Sequence, residues 1–259
     1  MIDISDLIQA AKRASLQAGE AILKVYNSGD FGVEMKSDHS PLTLADKAAH
    51  EIIVSHLEAT GLPLLSEEGK NISYEERREW EYFWLVDPLD GTKEFVKKTG
   101  EFTVNIALMH YSIPIAGVIY APCINILYYG SKETGVYKIE NEKEVQLTLM
   151  ETQRTIEQLL QKEKVTVVAS KSHMNEETSM FIKQFYNANF SSMGSSLKLM
   201  LLAEGAADIY PRIAPTMEWD TAAGDAILRS LNMGVYQTDL KNKLTYNKEN
   251  LLNPSFIAL

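Results

Sequence analysis

The residues best suited to chemistry in this chain are carboxylates placed at the ends of predicted elements. The densest group is Asp87-Pro88-Leu89-Asp90-Gly91-Thr92, directly after Tyr82-Phe83-Trp84-Leu85-Val86, an apolar run that predicts a strand. Two carboxylates three residues apart, just past a strand end, converge on one point if the chain turns there. Pro88 stiffens such a turn, and Gly91 lets backbone come close to a ligand. Ser66-Glu67-Glu68-Gly69 repeats the pattern at a second predicted strand end, and Glu218-Trp219-Asp220-Thr221 sets Asp220 at a predicted helix start. Hard oxygen donors without His or Cys among them suit Mg²⁺ rather than Zn²⁺. A helix opening near Gly91 would turn free N–H groups toward the same point and favour a phosphate.

Each signal also has a plainer explanation. Asp-Pro and Asp-Gly are common turn dipeptides. Asp220 reads as an N-cap, and Thr43-Leu44-Ala45-Asp46 as a capping box with Asp in place of Glu. These explanations suffice singly, but four carboxylate sites at element ends are better accounted for together by a shared metal centre. Cys123 is the only cysteine and carries no motif, and His39, His50, His56 and His110 form no ligand-like grouping.

The elements that must position these groups are legible in outline. Ile4, Leu7, Ile8, Ala11, Ala14, Ala18 and Ile22 predict an amphipathic helix over residues 3–26, and a second helix follows Thr43 and stops near Gly61. Strands are predicted over 63–66 and 82–86, then an antiparallel meander over 102–109, 114–121, 125–130 and 134–139. Beyond it the pattern alternates: strand 165–169, helices 174–187 and 195–204, strand 207–210, a helix from Thr221 to about Leu231, and strands 234–238 and 255–259. This order predicts an α+β or α/β layered sandwich of alternating helix and sheet layers. It reads as one domain over 1–259, with halves 1–160 (helices, antiparallel sheet, most metal ligands) and 161–259 (α/β, with Asp220).

The 259 residues are 45% apolar and 23% charged, as expected of a globular protein. A formal charge of −10 argues against a nucleic-acid polymer as partner, but not against a small phosphorylated ligand, since bound cations can reverse the local field. The N-terminus lacks the basic start and apolar run of a signal peptide, and no stretch approaches a membrane span, so a cytoplasmic enzyme is expected, with peripheral inner-membrane association open.

With these residues in view, the chain resembles the lithium-sensitive, magnesium-dependent phosphatases that include inositol monophosphatase. Asp-Pro-Leu-Asp-Gly-Thr at 87–92, the upstream Glu67 and the downstream Trp219-Asp220-Thr221-Ala222 match that family's signature in order. Within it, Lys36 to Asp46, Gly194-Ser195-Ser196-Leu197-Lys198, Ala203-Glu204-Gly205, Tyr210-Pro211-Arg212 and Pro215-Thr216 resemble the bacterial 3′(2′),5′-bisphosphate nucleotidases. Lys171 stands where that group usually has arginine, which keeps the charge and loses the bidentate geometry.

The resemblance implies a sugar-phosphatase-like fold and two to three Mg²⁺ ions. Glu67, Asp87 and the Leu89 carbonyl would hold one; Asp87, Asp90 and Asp220 a second; a third would lean on Glu67 through water. Thr92, backed by Asp46, would orient a metal-activated water, and the Gly91 and Thr92 N–H groups would hold the phosphoryl oxygens. Ser170, His173, Gly194 and Lys198 would contact a nucleotide, and Arg212 either a second phosphate or acidic neighbours. The expected reaction is hydrolysis of adenosine 3′,5′-bisphosphate to AMP and phosphate, in sulfur assimilation or nucleotide recycling. Two alternatives stay open: an inositol or sugar monophosphatase, and a catalytically silent nucleotide-binding regulator.

Overall fold

The structure is a computed structural model that describes residues 2–35, 41–69, 71–151, 154–169 and 175–259. Helix α1 (Ile4–Ser28) is followed by an antiparallel pair, β1 (Glu34–Met35) and β2 (Pro41–Leu42), and by α2 (Leu44–Leu57). The central sheet comes next: β3 (Leu64–Ser66), β4 (Tyr82–Asp90), β5 (Thr103–His110), β6 (Ile113–Ala121), β7 (Ile126–Ser131), β8 (Gly135–Glu140) and β9 (Lys143–Gln146). Two short helices, α3 (Tyr74–Arg77) and α4 (Thr92–Val96), interrupt it. The rest comprises α5 (Ile156–Leu160), β10 (Val165–Ala169), α6 (Glu176–Ile182), β11 (Ala188–Ser192), α7 (Leu197–Ala203), β12 (Tyr210–Arg212), β13 (Thr216–Met217), α8 (Glu218–Ser230), β14 (Val235–Gln237), β15 (Leu252–Asn253) and β16 (Phe256–Ala258).

Strands β3 to β9 lie in sequence order in one seven-stranded sheet, antiparallel throughout except for the parallel pair β3–β4. Side chains alternate across this sheet, so each face takes its own helices. Trp84, Val86, Ile106 and Leu108 pack against Ile8, Ala14, Ala18 and Ile22 of α1 and Ala49, Ile53 and Leu57 of α2. Phe83, Leu85, Ala107 and Met109 pack on the other face, against Leu199 of α7 and Ala222, Ala223 and Ile227 of α8. Fully burying one such large side chain stabilises the fold by about 1.5–3 kcal/mol. Helix α8 lies so close to β6 that a Cβ on Gly117 would stand 2.2 Å from the Ala223 carbonyl oxygen. Outside this core, β12, β16 and β14 form a small antiparallel sheet, and β10 pairs with β11 in parallel.

The predicted layers are present, with several boundaries moved. Helix α1 and the meander stand within a few residues of expectation, because their periodicity is strong. The helix expected over 174–187 is confined to Glu176–Ile182 among the described residues, and 188–192 form β11, whose strand β10 supplies all five pairing partners. Strand β9 and the short helices carry too few residues to show a period. The strand expected over 207–210 pairs later, over Tyr210–Arg212, where β16 offers its edge.

Candidate active site

Strand β4 delivers the first two carboxylates through a break in its alternation. Phe83 and Leu85 point toward α8, and Asp87 continues that series. In a regular strand Asp90, three residues on, would emerge on the opposite face. The register with β5 prevents this: Asp87 pairs with Asn105 and Asp90 with Thr103, so three steps on β4 oppose two on β5. The extra residue is a β-bulge, and it brings Asp90 back to the face of Asp87. Pro88 sits inside the bulge, where the interrupted ladder tolerates its missing N–H. The strand therefore runs on through Asp90 rather than ending at Val86 as the apolar run predicts.

Helix α8 supplies the third. It starts at Glu218, not Thr221, so Asp220 lies inside the first turn and caps it from within rather than as the N-cap residue. Its Oδ2 accepts a hydrogen bond from the Met217 N–H at 2.8 Å. Asp87, Asp90 and Asp220 each offer an oxygen, and all three oxygens lie within 4.8 Å of one another. Burial followed by the Glu67 charge pushes the Asp87 carboxyl well above the ordinary range, and burial followed by Asp90 does the same for Asp220. Burial raises Asp90 to about 6, against the opposing pull of the Lys198 ammonium and the Ser196 N–H. Glu67 stands just past β3, its N–H donating to the Val86 carbonyl at 3.1 Å. Three converging carboxylates that resist ionisation without a counter-charge, all hard oxygen donors, fit a small divalent cation such as Mg²⁺.

Asp46 makes the contacts that both of its readings require. One oxygen accepts from the Thr43 N–H at 2.8 Å and the Thr43 hydroxyl at 2.6 Å, which completes the capping box of α2. The other lies 3.3 Å from the Thr92 Oγ, which is also 3.3 Å from the Leu89 carbonyl oxygen. Gly91, at φ +92°, turns the chain from β4 into α4 in a left-handed conformation that a side chain would strain.

A cleft opens over these groups, lined by Asp90, Gly91, Gly194, Lys198, Arg212 and Asp220. Gly194 has no room for a side chain, since a Cβ would stand 2.6 Å from the Glu101 carbonyl oxygen. Lys198 is only 6% exposed, and burial lowers its pKa to about 8 although the Asp90 charge opposes the change. Arg212 donates to the Pro215 carbonyl at 3.2 Å, and its buried Nε has no hydrogen-bond partner among the described residues. Ser170, His173 and Lys171 lie outside the described residues. Sequence reasoning assigned no role to Thr103, Asn105 or the Ser196 hydroxyl, which form a polar cluster behind Asp90. The available signal was Thr103-Val104-Asn105, polar at alternate positions just before the apolar run Ile106 to Met109.

The family model for inositol monophosphatases matches residues 3–257. This chain belongs to that family. Its members are metal-dependent, typically on Mg²⁺, in keeping with the acidic cluster. Among curated relatives it is 40% identical to the 3′(2′),5′-bisphosphate nucleotidase CysQ of Salmonella typhimurium, over 96% of this chain and 98% of that protein. It is 41% identical to the Escherichia coli K12 protein of the same name, over 92% of this chain and 94% of that one. Among solved structures, CysQ from Bacteroides thetaiotaomicron superposes with a TM-score of 0.83 at 47% identity, covering 98% of this chain and 96% of that one. The inositol monophosphatase of Anabaena, at 22% identity and a TM-score of 0.71, shares the fold. No helix among the described residues is long and apolar enough to cross a membrane.

Proposed function

We propose that this protein is a Mg²⁺-dependent 3′(2′),5′-bisphosphate nucleotidase that converts adenosine 3′,5′-bisphosphate to AMP and phosphate. The observation that carries this reading is one cleft with carboxylates at its floor and two cations, Lys198 and Arg212, in its wall. A monophosphate needs only the floor; a ligand with a second phosphate uses the wall as well. The CysQ relatives, by name, support the same substrate class.

In this reading Glu67, Asp87, Asp90, Asp220 and the Leu89 carbonyl would hold two to three ions. Bound Mg²⁺ supplies Lewis acidity, lowering the pKa of water and neutralising charge on phosphoryl oxygens. Asp46 orients the Thr92 hydroxyl, whose oxygen accepts a hydrogen bond from the attacking water. That water gives up a proton as its oxygen forms the new bond to phosphorus and the ester P–O bond breaks, and the departing ribose oxygen takes up one proton in turn, so none is gained or lost overall. The Gly91 and Thr92 N–H groups hold the phosphoryl oxygens as their charge spreads. Ser170, His173, Gly194, Lys198 and Arg212 hold the rest of the nucleotide. We place this activity in the cytoplasm, in one phosphatase unit spanning 1–259.

Initial rates with Mg²⁺ on adenosine 3′,5′-bisphosphate, inositol 1-phosphate and fructose 1,6-bisphosphate test the assignment. The bisphosphate nucleotide should be preferred by ~100-fold or more, the worth of about 3 kcal/mol of additional charged contacts. Comparable turnover of inositol phosphate would replace this reading with the monophosphatase one.

A further inference from the structure

The loop before α7 grips Asp90 through a chain of contacts that has no partner in the reaction described above. Asp90 Oδ2 accepts from the Ser196 N–H at 2.7 Å, across a sequence separation of 106 residues, and from Asn105 Nδ2 at a weaker 3.4 Å. Asn105 Oδ1 in turn accepts from the Ser196 hydroxyl at 2.7 Å. Register places Asn105 beside Asp87 and Thr103 beside Asp90 on the neighbouring strand, so this cluster adjoins both aspartates. The loop itself is under tension, because Ser195 adopts φ 45°, a left-handed conformation unusual for serine. What holds it is the Lys198 ammonium, which donates to the Ser195 carbonyl at 2.7 Å and the Met193 carbonyl at 3.1 Å.

We propose that Lys198 and Ser196 are positioning residues for Asp90: Lys198 clasps the 193–196 loop, and the loop sets the carboxylate for metal binding. This rests on Asp90 being a metal ligand. It adds to Lys198 a role that is exercised before any substrate arrives, since two of its three N–H donors are committed to the loop.

Electrostatics and positioning predict opposite signs for the loss of Lys198, which makes the inference decidable. Removing a nearby cation strengthens the attraction of the carboxylates for a divalent ion. Loosening a ligand's outer partners weakens binding, by ~10–100-fold in metal sites generally. The experiment measures Mn²⁺ affinity without substrate, from the free-ion electron paramagnetic resonance signal, for wild type, Lys198→Met, Ser196→Ala and Asp90→Asn. Methionine fills a similar volume but leaves the Ser195 and Met193 carbonyls without a donor, so the fold of this variant is checked first by circular dichroism. Positioning predicts affinity ~10-fold or more weaker in Lys198→Met, with a smaller loss in Ser196→Ala, which keeps the N–H but drops the hydroxyl link. Unchanged or tighter binding in Lys198→Met overturns the inference. Should Lys198→Met not fold, unchanged affinity in Ser196→Ala overturns it instead. Failure of the metal reading looks different: wild type and Asp90→Asn would then bind Mn²⁺ alike.

Discussion

Without metal, the acidic cluster should make this protein less stable as pH rises through the neutral range, and the size of the effect can be worked from Asp90. Folding raises its carboxyl from 3.8 to about 6, chiefly by burial. A group whose folded pKa lies above its unfolded value contributes fully below the unfolded pKa, and that contribution is lost as pH rises through the folded one. From about pH 5 to about pH 7.5, Asp90 alone therefore removes about 1.4 kcal/mol of stability. Asp87 and Asp220, both pushed well above the ordinary range, act in the same direction. Lys198, lowered to about 8, begins to lose its proton only at the top of this window and offsets the trend by about 0.2 kcal/mol there. For a chain of this size the Asp90 share corresponds to a fall in melting temperature of about 3–6 °C.

The assay is thermal unfolding in chelator across that window, for wild type and Asp90→Asn, whose amide oxygen can still accept the Ser196 N–H. The difference between the two slopes cancels Glu218, Asp225 and His50, which burial also perturbs but which both proteins share. The wild type should fall more steeply by the stated amount, and saturating Mg²⁺ should reverse its trend, because the ion binds ionised carboxylates and binds them better as pH rises. Parallel slopes for the two proteins, or a wild-type melting temperature that climbs in chelator, would refute the reasoning.

Three further outcomes are expected. Asp87→Asn should lower turnover by several orders of magnitude while leaving the metal-free melting temperature at about pH 7.5 equal to or above wild type, since every charged neighbour acting on Asp87 is an acid; near-normal rates at modest Mg²⁺ would remove its central role. Asp46→Asn should lower kcat by ~100-fold or more with less than about 1 kcal/mol of stability lost, because asparagine can still accept at the α2 cap but presents N–H to Thr92; losses of rate and stability in proportion would leave only the cap. Li⁺ should inhibit, as expected of a member of this lithium-sensitive family, and Ca²⁺ should not sustain turnover, because it demands longer bonds and looser coordination; full rates under either condition would count against the site.

Asp87, Asp90, Asp220 and Glu67 were legible as candidates because four carboxylate groups at element ends strain any explanation by turns and caps alone. So was the order of layers, because α1 and the meander carry long, regular apolar periods that local physics enforces. What the chain could not disclose is anything that depends on pairing. The bulge that sets Asp90 beside Asp87 is a mismatch of register between β4 and β5, and neither strand shows it by itself. The short strands β11 and β9 are stabilised by their neighbours rather than by their own composition. Asp46 looked like either a cap or a catalytic partner, and only the approach of Thr92 from 46 residues away let one carboxylate make the contacts of both. Lys198 reads in sequence as a residue free to meet a phosphate or the solvent. Folding buries it against the Ser195 and Met193 carbonyl oxygens, three and five residues back, and that burial comes from the packing of α7 into the fold rather than from the local sequence.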